Sequence, residues 1–520
     1  MATNTEQLRA LCAAYPQYEP GSAYVRTKIL CDVLTKLGES IPSWMVLREH
    51  IGKGSSNDIT RGVKDFRSEH AELLQRSLAA VWHPCTQMQR TDAVPPLPMV
   101  RGEGPWLFDE DGHRYFDANS SWWVNLFGHS DARIQQAVTH QLHTLPHVML
   151  AGCTHEPAVV LAERLAARTQ GVLGHAFFAS DGASAIEIAL KMSFHYWKNT
   201  GKPGKREFVH VRHGYHGETL GALSVTDVAV FRDAYDALLL QGHEVASPDA
   251  RQAGAGETAV DVARRAAADL EKLLQEQHDR IAAVIVEPLI QCAAGMAMHD
   301  PLYLQEVRAL CDQYGVHLIA DEIAVGFGRT GTFFACEQAG IWPDFLCLSK
   351  GITGGYLPLS LVMTRDTVYA AFLSEDVTRG FLHSHSYTGN ALACSAALAV
   401  LDHFEKDDVL HRNVRQAEWL DAALASLRED ERIQHWRRRG MIWAFDVKPE
   451  HARGRFAERV HLAGRRHELL IRPIGSTVYL MPPYLLDEGV CSWLAHALQM
   501  TLNDVWESDD ADATSEPAVA

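Results

Sequence analysis

Three apolar runs in the second half of the chain each stop at an ionisable residue, and this pattern limits the fold more tightly than any other feature of the sequence. Ile281 to Val286 ends in Glu287, and Val316 to Ala320 ends in Asp321. Leu346-Cys347-Leu348 ends in Ser349-Lys350 before breaking into Gly351-Ile352-Thr353-Gly354-Gly355. Short runs that are apolar but for one histidine, His317, read as strands covered on both faces. Helical patterns lie between the strands, for example the alanine-rich stretch Asp261 to Gln277. Strands alternating with helices imply right-handed parallel crossovers, which gather ligand-binding groups at the carboxyl ends of the strands.

A lysine that leaves an apolar strand is partly desolvated, which disfavours its ammonium form and frees the amine to attack a carbonyl. The glycines behind it let the backbone turn tightly and approach a ligand. Taken alone, Lys350 also fits a surface residue capping a strand. Asp321 changes that balance, because a carboxylate at the end of a buried strand needs a cationic or hydrogen-bonding partner. A lysine for an aldehyde and an acid for a protonated ring nitrogen are the requirements of pyridoxal phosphate chemistry. Lys350 and Asp321 supply that pair.

The segments Ile319-Ala320-Asp321-Glu322-Ile323 to Gly331 and Leu348-Ser349-Lys350-Gly351 resemble the signature of the class III aminotransferases, which use pyridoxal phosphate. Within that class the resemblance is greatest to the diaminopelargonate synthases of biotin synthesis, also called adenosylmethionine-8-amino-7-oxononanoate aminotransferases. It extends from about Val81 to about Trp506. The resemblance implies an α/β fold of the fold-type I pyridoxal phosphate transferases. A mostly parallel seven-stranded sheet would form a large cofactor-binding domain over 131–390, with a smaller α+β domain from 81–130 and 391–506. It also implies a homodimer with shared active sites. The implied reaction converts 7-keto-8-aminopelargonate (8-amino-7-oxononanoate) to 7,8-diaminopelargonate with S-adenosylmethionine as amino donor. Another ω-amino acid or diamine aminotransferase, for example one with lysine as donor, stays open beside it. So does an enzyme-fold regulator with a DNA-binding N-terminal module.

The remaining site residues follow from local pattern and from that resemblance. Ser180-Asp181-Gly182-Ala183-Ser184-Ala185 is a turn opening a helix, and free N–H groups at such a start attract an anion. The backbone of Gly182 and Ala183 is thus the candidate for the cofactor phosphate. Tyr215, in a glycine-flanked loop, is the candidate for stacking on the cofactor ring and contacting substrate. Glu287 would orient groups near the ring, and His385 and Ser386 would contact the phosphate bound by the partner subunit. Two adjacent tryptophans on an extended stretch would face opposite sides, so of Trp122 and Trp123 one packs inward while the other lines a pocket; the resemblance makes Trp122 the substrate wall. Arg472 is the candidate fork for the acceptor's distal carboxylate, with Arg329 as an alternative or second anion contact. Two positions depart from the resembling enzymes. Cys85 stands in Trp82-His83-Pro84-Cys85 where they carry an aromatic residue, and Ser384 stands where many have glycine. Both bear on the amino donor.

Composition excludes several alternatives. The net charge of -17 argues against wholesale coating of nucleic acid. The 10 cysteines form no Cys-x-x-Cys pair and the 27 histidines do not cluster at zinc-like spacing, so no metal is expected. No apolar run approaches membrane-spanning length and no signal-like core opens the chain, so a cytoplasmic enzyme is expected. Residues 1–80 lie outside the aminotransferase resemblance and read as a helical extension of helix-turn-helix type. Its second helix would present Ser55, Ser56, Asn57, Thr60, Arg61, Lys64 and Arg67 to DNA. Residues 507–520 read as a disordered acidic tail.

Overall fold

The computed structural model of the chain describes residues 73–515. The DNA-facing residues expected in the N-terminal extension lie outside them; of that extension, only 73–80 are described, and they are helical. Packing divides the chain into a unit Met1–Phe116 and a unit Asp117–Ala520. The first unit carries an antiparallel meander of β1 (Met99–Glu103), β2 (Trp106–Asp109) and β3 (Arg114–Asp117). The turn Glu110 to His113 joins β2 to β3, and Asp109 Oδ1 accepts the N–H groups of Asp111 and His113 at 3.0 and 2.9 Å.

The second unit is built on seven strands: β4 (His175–Ala179), β5 (Glu207–Val211), β6 (His243–Val245), β7 (Ile281–Val286), β8 (His317–Asp321), β9 (Phe345–Leu348) and β10 (Ser360–Thr364). Their order across the sheet is β4-β10-β9-β8-β7-β5-β6, and β10 alone runs antiparallel to its neighbours. The sheet is therefore mostly parallel and seven-stranded, as the sequence implies. Every residue of β7, β8 and β9 is buried. Alternation along β7 explains why its sequence has no polar positions. Val284 and Val286 pack with helices Ala259–Gln277 and Leu302–Tyr314, while Ala283 and Ile285 pack on the other face with helix Gly182–Asn199. Burying each such valine or isoleucine contributes roughly 1.5–3 kcal/mol.

Charge is tolerated only where these strands end, and the register brings those ends level. Ala320 lies opposite Val286, and Asp321 lies opposite Cys347. Glu287, Asp321 and Lys350 consequently leave one carboxyl edge side by side. A smaller antiparallel sheet of β11 (Ile433–Arg439), β12 (Ile442–Val447) and β13 (Thr477–Leu480) completes the unit with helices that include Glu488–Ser515. That last helix continues through 507–515 of the tail expected to be disordered, and 516–520 lie outside the described residues. Leu494, Leu498, Leu502 and Trp506 bury its earlier turns, and a helix already nucleated adds further residues cheaply.

Candidate active site

Beyond β9, Ser349 donates its hydroxyl to the carbonyl of Leu359 at 2.9 Å, and the chain turns at Lys350 with φ 46°. That left-handed backbone is uncommon for a lysine and is held by close packing. A Cβ on the next residue, Gly351, would sit 3.2 Å from Leu126 Cδ1. The Lys350 Nζ lies 4.9 Å from the centre of the Trp123 ring. Burial lowers the ammonium's pKa, against the opposing pull of Asp321, Cys292 and Glu287. The amine is thus desolvated yet close to carboxylates, as a nucleophile that must also carry protons requires.

Asp321 is 5% exposed. Its Oδ1 accepts the N–H of Ile323 at 3.0 Å, and its Oδ2 pairs with His216 Nδ1 at 2.7 Å. Each oxygen keeps a lone pair for a further donor. His216 is buried in turn, and its main-chain N–H donates to Thr226 Oγ1 at 3.0 Å. Sequence reasoning missed His216; the available signal was its place beside Tyr215 in the loop after β5. Glu287 accepts the N–H groups of Tyr215 and Cys292, both at 3.0 Å, and burial pushes its carboxyl up to about 7. The Tyr215 hydroxyl donates to Glu218 at 2.9 Å, and its ring lies 5.4 Å from that of Phe231.

Helix Gly182–Asn199 begins inside Ser180 to Ala185, the segment expected as the turn before it. Asp181 caps it, accepting the Ser184 N–H at 3.0 Å and the Ser184 hydroxyl at 2.9 Å. The site loops close on this start. A Cβ on Gly182 would approach Ile323 Cγ2 at 3.1 Å, and one on Gly217 would approach the Ala183 Cβ at 2.6 Å. Ile323 follows Asp321 and Gly217 follows His216, so the helix start, the acid and its imidazole form one cradle. A buried amine, a carboxylate with free lone pairs and an anion-attracting helix start fit pyridoxal phosphate. His385 and Ser386 lie on a partly exposed loop. The His385 ring is 3.0 Å from that of His383, which Lys191 Nζ meets at 2.8 Å. The Ser386 carbonyl pairs with His147 Nε2 at 2.8 Å. Ser384, on the same loop, is exposed.

The two tryptophans are not on an extended stretch, and here the sequence expectation is corrected. Ser120, Ser121, Trp122 and Trp123 are all left-handed, with φ of 50°, 47°, 70° and 76°. Each costs on the order of 1–2 kcal/mol for an L-residue, so the turn persists only because other contacts fix it. Asp117 Oδ1 accepts the Ser121 N–H at 2.8 Å and Oδ2 accepts the Ser121 hydroxyl at 2.6 Å. The Ser120 hydroxyl donates to the Met481 carbonyl at 2.7 Å. Trp123 is 6% exposed and donates its Nε1–H to the Tyr479 hydroxyl at 3.0 Å, whereas Trp122 is 48% exposed. The guanidinium of Arg472 lies 5.3 Å from the centre of the Trp122 ring.

Arg329 departs from its expected place as an anion contact. It is fully buried, and its guanidinium donates to the carbonyls of Pro482 at 2.6 Å, Met481 at 3.4 Å and Asn125 at 2.8 Å. A fork engaged by three main-chain oxygens ties loops together instead of presenting itself to a ligand. Cys85 belongs to the first unit, where it is an exposed thiol on a turn with φ 52°. Among the described residues no group of histidine, cysteine and acidic side chains could hold a metal ion.

Glu322 is a further buried carboxyl, accepting the N–H groups of Ala335 and Cys336 at 2.7 Å each. Burial raises its pKa from 4.5 to about 7. Between those values the folded chain holds a proton that the unfolded chain has released. This contribution to stability is complete at low pH and is lost as pH rises towards 7, by at most about 3 kcal/mol. Glu322→Gln is expected to flatten that part of the denaturation free-energy profile, and a slope equal to the wild type's would reject the assignment.

Comparison with known proteins agrees with this geometry. Residues 87–502 match the family described as Aminotransferase class-III. An adenosylmethionine-8-amino-7-oxononanoate aminotransferase of Helicobacter pylori is 43% identical over 424 residues, covering 79% of this chain and 94% of that protein. One from Aquifex aeolicus is 38% identical over 433 residues, covering 82% and 95%. Among solved structures, the adenosylmethionine-8-amino-7-oxononanoate aminotransferase of Methanocaldococcus jannaschii superposes with a TM-score of 0.77 at 34% identity, covering 84% of this chain and 99% of the other. An (S)-enantioselective omega-transaminase from Thermomicrobium roseum gives 0.78 at 31%, covering 84% and 98%. With the family match spanning both the lysine and the acid that the strand ends bring together, the chain belongs to the class III aminotransferases and is a pyridoxal-phosphate-dependent transaminase.

Proposed function

We propose that this enzyme transfers the amino group of S-adenosylmethionine to 8-amino-7-oxononanoate, giving 7,8-diaminopelargonate in biotin synthesis. The observation that carries the reading is the placement of the paired tryptophans. One turn sets Trp123 against the Lys350 amine and Trp122 against the Arg472 guanidinium. A keto acid with its carbonyl at the lysine and its carboxylate at the arginine would lie along those two rings. The relatives' names supply the acceptor and donor.

Bound pyridoxal phosphate supplies an aldehyde for the lysine and a ring that accepts electrons. The first turn of helix Gly182–Asn199 would hold its phosphate, and Asp321, oriented by His216, would hold the proton of its ring nitrogen. Glu287 fixes the loop of Tyr215 through the tyrosine N–H. Lys350 Nζ, lowered in pKa by burial, takes the proton from the donor's α-carbon and returns one during the second half-reaction. Trp122 and Trp123 exclude water from this path, and Arg472 pairs with the acceptor carboxylate.

A second reading, with lysine or a diamine as donor, is favoured by Cys85 and Ser384, where the resembling enzymes differ. Single-turnover reactions with S-adenosylmethionine, lysine and simple diamines, followed by 8-amino-7-oxononanoate, distinguish the two. S-adenosylmethionine is expected to convert the cofactor, and inactivity with it alone would favour the second reading. In the same assay, Arg472→Ala is expected to raise the acceptor's KM about 10- to 100-fold with little change in kcat. An unchanged KM would remove Arg472 from carboxylate recognition.

The proposal includes a homodimer in which His385 and Ser386 reach the partner's cofactor phosphate. Leu382 and Tyr387 on the same loop expose large apolar surfaces that such an interface would cover. A cytoplasmic enzyme is supported by the eight described cysteines, all free and six of them buried. Among the described residues no helix is long and apolar enough to cross a membrane.

A further inference from the structure

We infer that Asp117 is a positioning residue that sets which acceptor length the enzyme takes, by clamping the left-handed turn between the catalytic amine and the distal guanidinium. Asp117 is 1% exposed, and its carboxylate is spent on that turn. Oδ1 accepts the Ser121 N–H at 2.8 Å, and Oδ2 accepts the Ser121 hydroxyl at 2.6 Å and pairs with His129 Nε2 at 3.1 Å. Four consecutive L-residues do not hold a left-handed path unaided. Two further ties fix the turn to the other side of the site. The Asn119 side chain donates to the Tyr479 carbonyl at 3.1 Å and accepts the Arg472 N–H at 2.7 Å. Asn119 thus holds the backbone of the residue whose guanidinium faces Trp122, while Asp117 holds the turn that presents Trp122. If Ser121 relaxed to a right-handed or extended conformation, the chain path would remain possible but Trp122 would leave the guanidinium. The span from Lys350 to Arg472 along the two rings is therefore set by the clamp, and with it the length between carbonyl and carboxylate of an accepted keto acid.

This inference rests on the proposed pairing of Arg472 with the acceptor carboxylate, and the experiment separates the two. Holoenzymes of the wild type, Asp117→Ala and Ser121→Ala are assayed with 8-amino-7-oxononanoate, with its uncharged methyl ester, and with keto acids one methylene shorter and longer. The wild type is expected to prefer the acid of one length. Both variants are expected to raise the KM for that acid about 10-fold or more, flattening the length preference. The kcat, the KM for the ester and the cofactor absorbance are expected to stay at wild-type values. Equal effects on acid and ester, or no effect on either, would overturn the clamp. Should Asp117→Ala fail to fold or to take up cofactor, Ser121→Ala, which loses one hydroxyl contact, decides by the same comparison. A wild type that does not distinguish acid from ester overturns the Arg472 reading and the clamp with it. A discriminating wild type with unmoved variants overturns the clamp alone.

Discussion

Lys350→Ala is expected to stop amino transfer, lowering turnover on the order of 10⁴-fold or more, and to remove the absorbance of the lysine-bound cofactor near the visible edge. The size follows from two duties that fall on one atom. In the proposed reaction Lys350 Nζ would bond the cofactor aldehyde and, once displaced, would move the proton between carbon atoms; alanine removes both. The described lysines nearest in character do not replace it. Lys205 Nζ is held by the carbonyls of Ile281 and His278, and Lys191 Nζ by His383. Lys350→Arg is expected to fail equally, because a guanidinium stays protonated and neither attacks an aldehyde nor accepts a proton near neutral pH. Cofactor should still bind to the alanine variant through the helix start and Asp321, and release on denaturation would measure it. Turnover within tenfold of the wild type would remove Lys350 from the chemistry.

What was legible in the sequence was legible for a physical reason. A strand buried on both faces excludes charge along its length, so Glu287, Asp321 and Lys350 stand out as the points where the apolar runs stop. Parallel register then makes strand ends meet, and no further information is needed to bring the three together. The approach of a helix near Gly182 was legible from its small-residue turn, but the helix begins inside that turn, where Asp181 caps it.

The features that were not legible depend on partners far along the chain. Ser120 to Trp123 reads as extended by composition, but Met481 and Tyr479 anchor the turn from about 360 residues away. Local preference worth a few kcal/mol yields to such ties. Arg329 sits in a glycine-flanked loop beside Asp321, which suggests an anion contact; the carbonyls of Pro482 and Met481 that take its guanidinium belong to a distant segment. His216 was hidden for a different reason. A loop has no period to say which of two neighbouring rings turns inward, and it is the histidine that meets Asp321 while the tyrosine hydroxyl meets Glu218.

That buried pair carries the second large expected effect. Asp321→Asn is expected to lower kcat about 10³-fold, with the acceptor's KM nearly unchanged and the cofactor still bonded to Lys350. Asparagine keeps the size of the side chain and can still accept the Ile323 N–H, so the fold is undisturbed. It lacks the charge that would keep the ring nitrogen protonated, and without that proton the ring would lose its pull on electrons. His216 faces the site through Asp321, with its Nδ1 2.7 Å from Oδ2. His216→Ala is therefore expected to cost about 10- to 100-fold, the range for partners that orient a functional group. Combined with Asp321→Asn it should add little, because the interaction it supports is already gone. Additive losses in the double variant would show that the imidazole acts independently. Near wild-type kcat in Asp321→Asn would separate the acid from the cofactor ring altogether.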